Sequence, residues 1–186
     1  EPARLYSDNS AEIIAAAKDL KWLHDTSTPY RPQTNGVAER AIQRMKQGTR
    51  AVLLQSGLGH RWWTYAAKCY AFLRNVSDKI HDRQDLTPYQ LRHKKDFKGK
   101  LIPFGAMVEF RPSQPSKTNQ MQAFGPLTLK AIFVGYHVES GGRWNGDYYV
   151  IAFEDYQVVD TNHKPQVSRV KEIVALHDQT FLDSDK

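Results

Sequence analysis

Two carboxylates, Asp8 and Glu39, are the residues of this sequence whose types and settings could support chemistry. Asp8 follows a short strand-like run, and Glu39 lies in the first turn of a long basic segment with helical spacing. Carboxylates on rigid supports can hold a pair of divalent cations, which assist the attacking and leaving oxygens in phosphoryl transfer. The alternative is structural: Asp8 would be a turn or capping residue, and Glu39 an acid that stabilises a helix N-terminus.

A polar, proline-containing loop joins the two carboxylates. The segment STPYRPQTNGVAER, residues 27–40, contains two X-Pro pairs, which favour extended backbone and remove two N–H donors. Loops held by rigid elements often carry substrate-binding residues. We therefore predict that this loop belongs to the site and that the following helix begins at Asn35 or Gly36.

Apolar spacing and capping residues predict the elements that position these groups. Ser10 is expected to cap one helix, and Thr87, followed by Pro88 at the first helical position, is expected to cap another. The predicted order is strand 3–7, helix 11–22, strand 22–24, helix 35–55 and helix 60–77, followed by a turn and a short helix within residues 85–93.

The pattern changes after residue 102, where alternation replaces helical spacing. Four runs are rich in Val, Ile, Phe and Tyr, namely GAMVEFRP, KAIFVGYHV, DYYVIAFED and QVSRVKEIV. Because Gly or Pro lies between them, they predict a small antiparallel sheet or barrel. The sequence thus predicts an α+β protein with a boundary between residues 98 and 103.

Charge and composition restrict the classes of function. The net charge is +6, and the segment 40–98 holds 13 Lys or Arg and 4 Asp, a local net charge of +9. Such a segment is suited to binding a polyanion. The alternative is that these charges belong to a solvated helical face. The mean hydropathy of −0.61 argues against a membrane span. The single cysteine, Cys69, is predicted to be a core residue, and one free thiol favours a reducing compartment, nuclear or cytoplasmic.

Several segments of the chain resemble a known protein family. Ser7-Asp8-Asn9 followed by residues 27–40 resembles the second half of the catalytic core of retroviral and retrotransposon integrases, which are DDE polynucleotidyl transferases. GHRWWTYAAKCYAFLRN is similar to the next core helix, and LTPYQLRHKKDFKGKLIPFGAMVEFRP with KAIFVGY resembles the stretch that follows the core in copia-type elements. The resemblance implies a partial, mostly helical ribonuclease H-like core at residues 1–98 and a small antiparallel SH3-like β-barrel at residues 99–186.

The resemblance also implies a site. Asp8 and Glu39 would be catalytic residues and ligands of Mg²⁺ or Mn²⁺. The family's first aspartate lies on an earlier strand, so we expect it to precede this chain and the metal site to be incomplete here. The implied DNA-binding residues are Tyr30, Gln33 and Asn35 in the loop and Arg40, Gln43, Arg44, Lys46 and Arg50 on the helix.

The implied parent is a retrotransposon polyprotein whose integrase performs metal-dependent 3′-processing and strand transfer. Expected partners are DNA and either further copies of the chain or the preceding part of the integrase, without a membrane. The alternative is a catalytically inert or repurposed module that binds nucleic acid or protein, because SH3-like barrels serve many roles.

Overall fold

The computed structural model describes residues 4–7, 10–26, 36–80, 85–112, 127–158, 163–175 and 181–182. It divides into two units, Glu1–Lys46 and Gln47–Lys186. The helices are α1 (Ala11–Asp19), α2 (Gly36–Ser56), α3 (Trp63–Ser77), α4 (Pro88–His93) and α5 (Phe153–Tyr156), with a 3₁₀ turn at His60–Trp62. The strands are β1 (Arg4–Ser7), β2 (Leu23–Thr26), β3 (Met107–Phe110), β4 (Leu129–Val138), β5 (Trp144–Ala152), β6 (Val167–Val170) and β7 (Ile173–Ala175). The predicted α+β class is confirmed.

The first unit contains a parallel pair of strands joined through a helix. β1 and β2 pair from Arg4↔Leu23 to Ser7↔Thr26, and α1 forms the crossover that a parallel pair requires. Ser10 caps α1 as predicted, because its side chain accepts a hydrogen bond from the Ile13 N–H at 3.3 Å. The helix ends before the predicted Trp22, since Lys21 takes a φ of 53° that turns the chain toward β2.

In the second unit, α2 ends where the sequence predicts. Gly57 follows with a φ of 67°, a conformation that glycine adopts at little cost. Within α2, a Cβ at Gly48 would lie 2.0 Å from the Cζ atom of Tyr70 on α3. Glycine at this position therefore allows the close contact between the two helices.

The β-rich region is a five-stranded antiparallel sheet of order β6-β5-β4-β3-β7. Only Lys171 and Glu172 connect β6 to β7, although these strands lie at opposite edges. Four flat interstrand spacings would separate the edges by about 19 Å. The three Cα–Cα steps of the link span at most about 11 Å, so the sheet is strongly curled.

This sheet corrects three details of the predicted barrel. No pairing closes the sheet among the described strands, so the closed barrel is not confirmed. The run QVSRVKEIV is two strands rather than one, because Lys171 and Glu172 carry the chain to the opposite edge. The run DYYVIAFED leaves the sheet at Ala152, and its last residues begin α5.

One hydrophobic core joins the helices of the second unit to its sheet. The rings of Phe72 on α3 and Tyr136 on β4 have centroids 4.5 Å apart. Cys69 is buried, as predicted. A Cβ built at Gly135 of β4 would lie 3.6 Å from the Cβ of Cys69. The boundary expected near residues 98–103 falls inside this unit, and it stays a prediction about the domains of the longer protein.

None of the described helices combines the length and apolar composition that crossing a lipid bilayer would require.

Candidate nucleic-acid interface

One face of α2 carries most of the predicted DNA-binding residues. Helical positions spaced by three or four residues lie one above another on the same face. Glu39, Gln43, Lys46 and Arg50 follow this spacing, Arg40 and Arg44 form the adjacent row, and all six are exposed. We call these six residues the polar face of α2.

The opposite side of α2 is packed from Met45 onward, whereas residues 37–44 are exposed on every side of the helix. The residues there are half-buried or buried, namely Met45, Gly48, Thr49, Val52, Leu53 and Ser56. The buried Ser56 hydroxyl donates to the Leu53 carbonyl at 2.8 Å, which satisfies its hydrogen-bonding capacity inside the protein. In this second part of α2, the packing therefore determines which side faces solvent.

The polar face is strongly cationic. Glu39 is the single acidic residue of α2, whereas Arg40, Arg44, Lys46 and Arg50 are basic. The helix rises 1.5 Å per residue, so these four cations extend over about 15 Å. Duplex DNA carries a charge every 1.7 Å or so, and about nine phosphates therefore fall within that length.

Glu39 is placed as predicted, in the first turn of α2, with an exposed side chain. The other residue predicted to bind the metal, Asp8, lies outside the described residues. The parallel register places Ser7 at the end of β1 beside Thr26 at the end of β2.

The metal prediction receives no further support from the described part of the chain. There, no group of three or more His, Cys, Asp or Glu is arranged to hold a metal ion. Glu39 alone supplies one carboxylate, which is fewer ligands than a two-metal site needs. The assignment of Mg²⁺ or Mn²⁺ to Asp8 and Glu39 therefore stays a prediction.

The three loop residues predicted to bind DNA, Tyr30, Gln33 and Asn35, also lie outside the described residues. Their roles stay predictions. The start of α2 at Gly36 agrees with the expected helix start at Asn35 or Gly36.

Sequence reasoning missed a buried carboxylate in the sheet. Asp147 of β5 is 3% exposed, and its Oδ2 atom accepts hydrogen bonds from the guanidinium of Arg169 on β6. The available signal was an acid placed directly before the apolar run YYVIA. Its partner, Arg169, could not be identified from the sequence, because only the pairing of β5 with β6 brings the two residues together.

Comparisons with known proteins leave the family unassigned. No protein-family model matches the chain. A similar solved structure is the cryo-EM structure of a simian T-cell lymphotropic virus intasome in complex with PP2A regulatory subunit B56 gamma. The TM-score is 0.41 at 17% sequence identity, and the match covers 94% of this chain. The chain spans 58% of the length of that structure's matched chain. A likeness of this degree does not establish a shared fold, so the ribonuclease H-like core stays a prediction.

Proposed function

We propose that this chain binds duplex DNA through the polar face of α2. The observation that carries the proposal is the exposure of Arg40, Arg44, Lys46 and Arg50 along one helix. Cations fixed on a helix release counter-ions from DNA when they neutralise its phosphates, which favours binding. The helix fixes the spacing of these cations before DNA arrives, so less ordering is needed on binding.

The proposal extends to the longer protein. The segment at residues 27–40 resembles integrases, and we propose that the chain is the C-terminal part of such an enzyme from a retrotransposon polyprotein. The parent would catalyse 3′-processing and strand transfer of DNA. Asp8 and Glu39 would hold the metal, together with an aspartate from the preceding segment. A bound Mg²⁺ or Mn²⁺ would polarise phosphate oxygens.

The first unit favours a partner that completes its sheet. Parallel sheets are normally covered on both faces, and a two-stranded sheet is marginal on its own. Tyr6 of β1 and Leu23 of β2 are 52% and 70% exposed. We therefore include in the proposal further strands, supplied by the preceding part of the integrase or by another copy of the chain.

The direct test of DNA binding uses paired charge removals. We expect Arg40→Ala/Arg44→Ala to weaken binding of a duplex oligonucleotide about 10-fold to 100-fold at 0.1 M salt, because two charged contacts are lost. Fluorescence anisotropy with a labelled duplex gives the affinity.

The matched control is Lys18→Ala/Lys130→Ala, which removes the same charge from exposed positions on α1 and β4. It should change the affinity by less than about threefold, the effect of a general change in net charge. Equal losses in the two double variants would contradict a role for the polar face.

The catalytic part of the proposal is tested in the full parent protein with Mg²⁺. We expect Glu39→Gln to lose at least about a thousandfold in strand transfer, because a neutral amide replaces a metal-binding carboxylate. DNA affinity should be retained, since the variant removes a negative charge from a cationic face. Strand transfer at the wild-type rate would eliminate the role of Glu39.

A further inference from the structure

A groove with apolar walls lies in the second unit, where α2 ends. It encloses about 380 Å³ of open space, which is within the range of sites that bind small ligands. We call it the Gly57 groove. Its walls come from four parts of the chain and include Gly57, Met107, Phe153, Tyr156, Phe181 and Leu182. None of these residues belongs to the polar face of α2.

The fixed walls of the groove belong to the sheet and to α5. Phe153 and Tyr156 are three residues apart in α5, so they lie on the same side of that helix. Met107 lies on β3, and its pairing with Ile132 of β4 fixes its place. All three wall side chains are half-buried and pack against the core. Because a methionine adapts to irregular shapes and aromatic rings offer flat apolar surface, these walls suit apolar side chains.

Two residues from late in the chain, Phe181 and Leu182, already occupy part of the groove. Both are half-buried and pack against the same core. A Cβ built at Gly57 would lie 2.6 Å from the carbonyl oxygen of Leu182 and 3.1 Å from its Cβ. The glycine at the end of α2 therefore lets a peptide main chain pass directly against it.

The contact that Phe181 and Leu182 make is small. Within the described part of the chain, neither residue forms a hydrogen bond with another residue. Open space remains beside them, so they fill the groove only in part. Segments with few apolar contacts and no backbone hydrogen bonds open at a much lower cost than the whole protein. We therefore expect these two residues to leave the groove while its walls stay folded.

We propose that the Gly57 groove is a binding site for a short peptide segment in which an aromatic residue precedes an aliphatic one. Phe181 and Leu182 are the occupant that the chain itself supplies, and a partner protein that presents a segment of the same kind displaces them. The two apolar side chains of the segment pack against the walls, and its main chain passes Gly57. This site is independent of DNA binding by α2.

The test supplies the segment as a separate peptide. Phe181→Ala/Leu182→Ala empties the groove, and the octapeptide DQTFLDSD, which has the sequence of residues 178–185, is then titrated into the isotope-labelled protein. We expect saturable NMR shifts around Gly57 and Tyr156 with a Kd of about 0.1–1 mM, the affinity that burial of two apolar side chains supports. The matched peptide DQTAADSD should give no saturable shift. Equal shifts from the two peptides would overturn the proposal.

The wild-type chain gives a second measurement that does not depend on the folding of the variant. DQTFLDSD should bind it at the same place about tenfold more weakly, because the chain's own segment competes at a millimolar effective concentration. Absence of saturable shifts in the wild type would overturn the peptide site. Equal affinities of the wild type and Phe181→Ala/Leu182→Ala would contradict the role of these residues as the occupant.

A substitution at Gly57 tests the passage of the main chain. In the Phe181→Ala/Leu182→Ala background, Gly57→Ala should weaken DQTFLDSD at least about tenfold, because the added methyl group overlaps the peptide carbonyl. Gly59→Ala is the matched control, since no atom lies within 4 Å of a Cβ built there, and it should change the affinity by less than about twofold. Equal affinities of these two proteins would contradict the proposed path of the peptide.

Two further measurements separate this site from the alternatives. Arg40→Ala/Arg44→Ala should keep the affinity for DQTFLDSD, so a failure of the α2 proposal would be seen separately. Analytical ultracentrifugation of the full chain tests whether a second copy supplies the occupant. Self-association that Phe181→Ala/Leu182→Ala abolishes would show docking between copies and would contradict occupation by the same chain.

Discussion

Tyr136 of β4 is a buried residue whose hydroxyl forms hydrogen bonds with the backbone of the segment before β3. It accepts a hydrogen bond from the Ile102 N–H at 2.9 Å and donates to the Lys100 carbonyl at 2.8 Å. Burial raises the pKa of this hydroxyl well above its ordinary value of 10.0, because the phenolate would lose its hydration. The folded protein therefore keeps Tyr136 protonated under conditions that ionise it in the unfolded chain.

The sign of the resulting pH dependence follows from this raised pKa. The stabilisation is complete below pH 10.0, the ordinary value of the pKa, and decreases as the pH rises above it. We expect Tyr136→Phe to unfold about 1–2 kcal/mol more easily at pH 7 through the lost hydrogen bonds. Its stability should also fall less steeply between pH 9 and 11 than that of the wild type, as measured by urea unfolding.

The control for this prediction is Tyr156→Phe, which changes a half-buried tyrosine of the same unit. It should keep the alkaline decrease seen in the wild type. An alkaline decrease of the same slope in Tyr136→Phe would show that this hydroxyl does not carry the effect.

At the scale of elements, the helices were more predictable than the strands. Thr87 and Gln90 form the capping box at the start of α4, with hydrogen bonds of 2.7 and 3.2 Å. These residue types at this spacing predict a helix start from the local sequence alone. The division of residues 167–175 into β6 and β7 has no such local signal. β7 is set by its pairing with β3, more than 60 residues earlier in the chain.

Gly105 shows how a single position joins α2 to the sheet. It has a φ of 82°, and a Cβ there would lie 2.2 Å from the Cβ of Ser56. Its N–H donates to the Phe133 carbonyl at 2.8 Å, which holds the turn before β3 against β4. The position therefore combines a backbone that favours glycine with a contact that leaves no room for a methyl group.

We expect Gly105→Ala to lower the free energy of unfolding by about 2–4 kcal/mol, because strain and overlap add. Chemical denaturation measures the change. Gly59→Ala is the matched control, since no atom lies within 4 Å of a Cβ built there, and it should change stability by less than about 0.5 kcal/mol. Equal stability of the two variants would contradict the close contact at Ser56.

At the scale of the whole molecule, the polar face of α2 and the ion pair between Asp147 and Arg169 differ in how much of each the sequence could predict. The polar face of α2 could be predicted because Arg40, Arg44 and Arg50 lie in one helix with regular spacing. The ion pair could not, because its two residues lie 22 positions apart on different strands. The pairing of β5 with β6 brings the two residues together, and it leaves no local pattern in the sequence.

The salt dependence of duplex binding tests most directly whether α2 binds phosphates. For each phosphate contact, the slope of log K against log salt concentration changes by about 0.9. Removing Arg40 and Arg44 should therefore make the slope shallower by about 2, whereas Lys18→Ala/Lys130→Ala should leave it nearly unchanged. A slope equal to that of the wild type in Arg40→Ala/Arg44→Ala would contradict DNA binding by the polar face of α2.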